Sequence, residues 1–270
     1  LLYQRIRARA EKGEKSILLV PEQFTSSTEG RIYRELGDAL SGMVESFSFT
    51  SLAEKILSTE GGAAVQTLSD AGRAVLVRRA LEELQDNVHY YHRHRRSAAF
   101  CQMAAQTIDE LKSAGLSGQQ LAQLAGACGA ESGKLSELAL IFQGYETLLA
   151  RSGMDPSDRL ELAGARLEEA LARHSLPEFL RNRAVFIDEF DTFNAPKKRL
   201  LGALLAALPS VTVALCDDGA PLLPGDLSLF SGAKQVAAQL RQLARKNGAE
   251  VAVPQLLRKD LRHRNAPGLA

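Results

Sequence analysis

The chain has 270 residues, of which 45% are apolar and 24% charged, and its formal net charge is +1. That length accommodates one large or two modest domains, and so small a charge sets up no global field for nucleic acid, which leaves any DNA contact to local basic patches. No run approaches the roughly 18 apolar residues of a membrane span, the isolated Cys101, Cys128 and Cys216 form neither a disulfide framework nor a CxxC pair, and with Trp absent and aromatics at 6% stacking platforms for single strands should be sparse.

The first element in chain order is a helix over 1–12, with Leu2, Ile6 and Ala10 on one face and Arg5, Arg7, Arg9 and Lys12 on the others. Gly13 ends it. The tetrapeptide Gly13-Glu14-Lys15-Ser16 has the look of a phosphate-loop tail. A helix precedes it, a strand follows it and the first glycine of the motif is missing, so it reads as a turn. Residues 17–20 (Ile-Leu-Leu-Val) form an unbroken apolar run, as in a strand buried on both faces, and Pro21 stops it. A helix over 27–37, a strand over 44–47 and a helix over 51–57 follow, the last capped by Thr50 or Ser51.

Over 60–156 Ala, Leu, Gln, Glu and Arg dominate and strand-like runs disappear. Helices over 69–86, 97–113, 117–127 and 134–151 predict an inserted all-helical subdomain. Alternation then returns, with a helix over 157–173, a strand over 184–187 and a helix over 196–207 opening on Pro196. A strand over 211–215, a helix over 232–246 and a strand over 250–253 complete the chain. The expected fold is therefore α/β, a mostly parallel sheet covered on both faces, in two parts (1–59 and 157–270) around the helical insertion. Ligands of such sheets bind beyond the carboxyl ends of the strands. Residues 21–25, 48–51, 188–191 and 217–219 all fall at such ends.

The strongest chemical signal is the run Ala184-Val185-Phe186-Ile187-Asp188-Glu189-Phe190-Asp191-Thr192-Phe193. A buried strand that delivers Asp-Glu at its end is how nucleoside-triphosphatases build a Walker B site, with the Asp on Mg²⁺ and the Glu polarising the attacking water. A solvated strand end is the plainer alternative. Asp217-Asp218 also ends a strand and has a turn before Gly219 as its plainer reading. The cluster His89-Tyr90-Tyr91-His92-Arg93-His94-Arg95-Arg96 is the densest basic patch. Its arginines argue against a metal site and leave an exposed connecting loop or a contact with DNA phosphates. No G-x-S-x-G and no triad-like spacing occurs.

Taken together, Leu18-Leu19-Val20-Pro21-Glu22-Gln23-Phe24-Thr25, Val44-Glu45-Ser46-Phe47-Ser48-Phe49-Thr50-Ser51-Leu52-Ala53, Asp158-Arg159-Leu160 and the Asp188-Glu189 run resemble the N-terminal helicase-like region of the AddB (RexB) family. Those are B subunits of bacterial AddAB ATP-dependent helicase/nucleases. Thr107-Ile108-Asp109-Glu110-Leu111-Lys112-Ser113-Ala114-Gly115-Leu116 is similar to that family's helical insertion, and the resemblance covers nearly the whole chain.

The resemblance implies a P-loop NTPase, superfamily-one helicase-like sheet whose first strand and P-loop would precede Leu1, so that the chain is expected to be a fragment. The start at Leu1 rather than Met is in keeping with that. It implies DNA-backbone contacts at Gln23, Phe24 and Thr25 and at Ser48 and Thr50. It also implies a Walker B-like Asp188 and Glu189 and a motif III-like Asp217 and Asp218. Arg93, Arg95 and Arg96 are the candidate additional DNA contacts. Many members of that family carry Gly after the Asp; this chain has Glu189.

The implied role is DNA binding and scanning in the cytoplasm, during recombinational repair of double-stranded DNA ends, alongside an AddA-type motor/nuclease partner. No metal, cofactor or membrane contact is expected of the fragment, and no turnover. ATP and Mg²⁺ would belong to the parent complex and an iron–sulphur cluster to a missing C-terminal region. Two alternatives remain from the sequence: a working ATPase/helicase motor using Asp188 and Glu189, or a scaffold for the motor partner that makes no DNA contact.

Overall fold

Helix α1 (Leu2–Ala10) and strand β1 (Ser16–Leu19) are joined by a turn over 11–13 that ends at Gly13, whose φ of 76° suits glycine, and Ser16 already belongs to the strand, so Gly13-Glu14-Lys15-Ser16 forms no phosphate loop. The computed structural model describes residues 1–129 and 132–257; the remainder of the 157–270 part lies outside the described residues. Beyond Pro21 a single turn of 3-10 helix (Glu22–Phe24) leads into α2 (Thr25–Leu36). The short α3 (Asp38–Ser41) precedes β2 (Val44–Phe47) and α4 (Phe49–Glu60). The cap of α4 is Ser48 rather than Thr50 or Ser51. The Ser48 hydroxyl accepts the Ser51 N–H at 3.1 Å, while the Ser51 hydroxyl accepts the Ser48 N–H at 2.8 Å. Only the residue with extended backbone before the first helical one can complete this reciprocal box, and Ser48 has it (φ −86°, ψ 170°).

Helices α5 (Asp70–Glu83), α6 (Ala98–Ser113), α7 (Gly118–Ala125) and α8 (Ser132–Ser152) follow. They enclose an apolar cluster of their own, in which Val77, Leu81, Ile108, Ile141 and Phe142 are fully buried. Between β2 and the next strand the described residues make one isolated bridge, Thr67 with Met154. Then come α9 (Pro156–Ala172), β3 (Ala184–Ile187), α10 (Ala195–Ala207), β4 (Ser210–Val213) and α11 (Ser231–Lys246).

The four strands form one parallel sheet in the order β2-β1-β3-β4. Successive side chains of the two central strands alternate between its faces. Leu18, Val20, Ala184 and Phe186 pack with Ile6, Ile32 and Leu36 of α1 and α2. Ile17, Leu19, Val185 and Ile187 pack with α4, α9 and α10 through Leu52, Ile56, Ala163, Leu200 and Leu204. Both faces are thus covered, and this Rossmann-like α/β arrangement is why β1 and β3 read as unbroken apolar runs.

Residues 250–253 are not a strand. Their Val-Ala-Val alternation supplies β-propensity, but propensity becomes a strand only where a ladder partner exists. This segment meets no sheet edge, and Val253 is 90% exposed. Among the described residues no helix is long and apolar enough to cross a membrane.

Candidate functional site

The strand order fixes where a site can form. The chain leaves β1 through α2 towards β2 on one side, while β3 pairs with β1 on the other, so the topology reverses between β1 and β3. Connections diverge there and leave a crevice beyond the carboxyl ends of the strands. A cleft of about 190 Å³ lies at this point. Tyr3 of α1, Val20 and Phe24 beyond β1, Ser27, Thr28, Arg31 and Arg34 of α2, and Asp188 and Glu189 beyond β3 line it.

The end of β3 is held rigidly. The Asp188 N–H donates to the Leu19 carbonyl at 3.0 Å, which carries the ladder one residue past the strand. The Asp188 carboxylate then accepts the Glu189 N–H at 3.1 Å. Glu189 turns the chain with φ 63°, in the left-handed region. That turn sends Phe190 and Phe193 into the core, stacked on each other at 5.4 Å and edge-on to Phe49 at 5.3 and 6.0 Å. The aromatic anchor below leaves the two carboxylates at the rim of the cleft, Asp188 half-buried and Glu189 exposed.

Left-handed backbone costs a residue with a Cβ about 1–2 kcal/mol, and glycine gives back part of that gain through its freer unfolded chain, about 0.4–1 kcal/mol. Glu189→Gly is therefore expected to raise stability by roughly 0.5–1 kcal/mol, and the β-branched Glu189→Val to lower it. Chemical denaturation of the two variants beside the parent chain measures this; a destabilised Glu189→Gly would mean that the carboxylate contributes more than the turn costs.

Two arginines oppose these carboxylates. The Arg31 guanidinium lies 4.7 Å above the Tyr3 ring and 3.8 Å from the Glu189 carboxylate. Burial pushes the Tyr3 phenol above its ordinary value; Arg31 opposes this, and the Asp188, Glu35 and Glu189 carboxylates add to it. Arg34 donates to the Gly30 carbonyl of its own helix at 3.3 Å and has no carboxylate partner among the described residues. The cleft thus offers cationic donors and hydroxyls on one wall and acidic acceptors on the other. It can hold a single anionic group at α2 by charge-assisted hydrogen bonds.

The other residues singled out from the sequence are placed as follows. Gln23 and Phe24 are exposed on the 3-10 turn, with Phe24 at the mouth of the cleft. The Thr25 hydroxyl donates to the Glu22 carbonyl, and Ser48 is buried in its cap, so both are engaged within the chain. Thr50 is exposed on the first turn of α4. Asp217 and Asp218 accept the N–H groups of Gly219 and Ala220 at 3.2 and 2.9 Å, as turn aspartates do. Asp218 also pairs with Lys234 of α11 at 3.1 Å, and the Ala220 N–H together with Lys234 holds its carboxyl below the usual range. Arg93, Arg95 and Arg96 lie on the connection from α5 to α6 and do not line the cleft.

Sequence reading missed Tyr3, Ser27, Thr28, Arg31 and Arg34. A signal was present, since Ser27, Arg31 and Arg34 follow helical spacing and mark one polar face of α2 beside its buried face of Thr28, Ile32 and Leu36.

A family model described as "ADDB, N-terminal" matches residues 1–270. Among curated relatives, the B subunit of the ATP-dependent helicase/deoxyribonuclease of Desulforudis audaxviator (strain MP104C) is 34% identical over 271 residues, 97% of this chain and 22% of the relative. Proteins of the same name from Moorella thermoacetica (strain ATCC 39073 / JCM 9320) and Clostridium perfringens (strain 13 / Type A) are 32% and 31% identical. Those matches cover 98% and 87% of this chain, and 23% and 20% of the relatives. The chain thus spans about a fifth of the length of the curated relatives it matches.

Proposed function

The chain belongs to the ADDB N-terminal family, and from that premise we propose that it is the helicase-like, DNA-holding and DNA-scanning part of the B subunit of an ATP-dependent helicase/deoxyribonuclease. That enzyme processes double-stranded DNA ends for recombinational repair in the cytoplasm, and an AddA-type motor/nuclease subunit is its partner. The observation that carries this reading is the cleft at the topological switch point, which Phe24, Ser27, Arg31 and Arg34 line together with Asp188 and Glu189. A parallel α/β sheet offers its ligand site there, and donors from a helix face, hydroxyls and backbone suit a phosphodiester.

Turnover is not assigned to these residues. None of the loops that leave the four described strands is glycine-rich, so none offers the successive N–H groups that cradle β- and γ-phosphates. Asp188 is the residue that would hold Mg²⁺, and it normally shares that ion with phosphate oxygens. On this reading ATP and Mg²⁺ act in the parent complex. An iron–sulphur cluster would be held elsewhere in it, as Cys101 is buried on α6 while Cys128 and Cys216 are exposed singly.

The test joins ATP hydrolysis with binding to a DNA end across a salt series. The expected result is no hydrolysis by the chain, and weak DNA binding with a shallow salt slope, because the slope tracks the number of neutralised phosphates. Steady hydrolysis abolished by Glu189→Gln would instead make this a working motor domain. An absence of DNA binding even at low salt would leave a scaffold for the motor partner.

A further inference from the structure

A second hollow, of about 440 Å³, lies in the helical region. Its volume is within the range of small-molecule sites, roughly 300–1,000 Å³. Tyr90, Tyr91 and His94 of the α5–α6 connection, Phe100 and Met103 of α6, and Lys134 of α8 line it. Aromatics make up 6% of the chain, yet here they are gathered. The Tyr91 and Phe100 rings lie 5.4 Å apart at 30°, and His94 stacks on Phe100 at 5.5 Å. Tyr90 and Met103 are 58% and 56% exposed.

Two features build this surface and keep it open. The carboxylate of Glu137, itself 6% exposed, accepts the backbone N–H groups of His89, Tyr90 and Tyr91 at 2.7 to 3.3 Å. A buried charge is thus devoted to the shape of a loop that leaves the Tyr90 ring exposed while Tyr91 packs against the helical core cluster. Below, a Cβ at Gly133 would come within 2.9 Å of the Tyr90 ring, so that ring rests directly on the first turn of α8. On the same connection, Arg93 and Arg96 do not line the hollow; both are exposed and have no carboxylate within ion-pair distance among the described residues.

An exposed tyrosine face on a loop that also carries the exposed Arg93 and Arg96 matches the chemistry of single-stranded nucleic acid, in which each unpaired base offers a π-face and each linkage a negative charge. A base inside a duplex offers neither face. We propose that this hollow receives an unpaired nucleobase of single-stranded DNA, with its flanking phosphates on Arg93 and Arg96. The inference rests on the DNA-holding reading above and names the form of DNA and the contact.

The experiment uses the full-length protein that carries this chain, with a short oligothymidylate and an abasic oligonucleotide of equal length as probes. Tyr90→Ala is expected to weaken oligothymidylate binding about tenfold and to leave abasic binding unchanged, while Tyr90→Phe retains the parent affinity. Gly133→Ala, which helix propensity alone would favour, is expected to displace the ring and weaken binding in the same way. Arg93→Ala/Arg96→Ala is expected to reduce the salt slope by about 1.4, or roughly 0.7 for each phosphate released on a single strand. Photocrosslinking with an iodouracil-substituted oligonucleotide is expected to mark the peptide that holds Tyr90. Equal binding by Tyr90→Ala, or an equal loss on the abasic probe, would overturn the proposal. If the protein still binds a blunt duplex in that case, only this inference falls; if it binds no DNA of any kind, the DNA-holding reading falls with it.

Discussion

Asp155→Ala is expected to lower stability by about 3–5 kcal/mol, the cost of removing one partner of a buried ion pair. Asp155 is 1% exposed and precedes α9. Its carboxylate does not cap that helix; instead it accepts the Tyr145 hydroxyl of α8 at 2.7 Å and the Lys112 ammonium of α6 at 2.9 Å. The Asp158 carboxylate accepts a second hydrogen bond from the Lys112 ammonium at 2.7 Å. Nearby, Asp109 of α6 is 3.3 Å from Arg73 of α5 and accepts the Ser157 hydroxyl at 3.3 Å. The group therefore ties the helical region to the start of α9. Without Asp155, Lys112 keeps one partner and Tyr145 none, and a buried hydroxyl without a partner costs about 1–3 kcal/mol more than a paired one.

At roughly 2–4 °C per kcal/mol for a chain approaching this size, Tm should fall by about 6–20 °C. Tyr145→Phe should cost only about 1 kcal/mol, and the double variant less than the sum of the two, because the groups touch. A Tm within two degrees or so of the parent, about 0.5 kcal/mol, would mean that water replaces the carboxylate.

The pH dependence of this network has a definite sign. Burial alone would lower the Lys112 amine, but its hydrogen bonds to Asp158 and Asp155 carry it above the ordinary lysine value. Burial, and then the bond to Asp155, pushes the Tyr145 phenol well up. Both groups bind their protons more tightly when folded. Their contribution is complete below the unfolded values, about 10 for each, and is lost as pH rises through the folded ones. Alkaline titration of the unfolding free energy should show a decline above about pH 10 that is smaller in Asp155→Ala.

Glu137→Ala is the second large effect. It removes the acceptor of three successive backbone N–H groups from a loop that has no other anchor of this kind among the described residues. Hydrogen bonds to a charged group are each worth about 1.5–3 kcal/mol, and water can reach part of the opened loop, so a net loss of about 2–3 kcal/mol is expected. The local consequence should exceed the global one. Amide hydrogens of 89–91 should exchange rapidly at denaturant concentrations where β1 and β3 remain protected. Glu137→Gln, with one acceptor oxygen in place of two, should fall between. If exchange at 89–91 matched the parent, the carboxylate would not be what holds the aromatic hollow in shape.

Much of the sheet was legible in the residues themselves. Ile17 to Val20 and Ala184 to Ile187 are apolar without alternation, which a chain can satisfy only by burying a strand on both faces, and these became the two central strands. The helices of the middle region were legible to within a few residues because their serine caps and apolar spacing are local. The Asp188-Glu189 pair at a strand end was visible for the same reason. The strand expected at 250–253 was not formed, because a ladder needs a partner and no local signal reports one.

What faces Asp188 was decided by the crossover. Tyr3, Arg31 and Arg34 meet it only because β1 pairs with β2 on one side and β3 on the other, a relation between segments more than 150 residues apart. Likewise, a low aromatic content averages over the chain, whereas a single buried carboxylate on α8 gathers Tyr90 and Tyr91 beside Phe100. By itself, the sequence determined the four strands that pair, most of the helices and which carboxylates end a buried strand, since propensity, capping and periodicity act within a few residues. Tertiary structure alone decided which arginines oppose those carboxylates and where the aromatic rings assemble, because both depend on pairings between distant segments that no local interaction encodes.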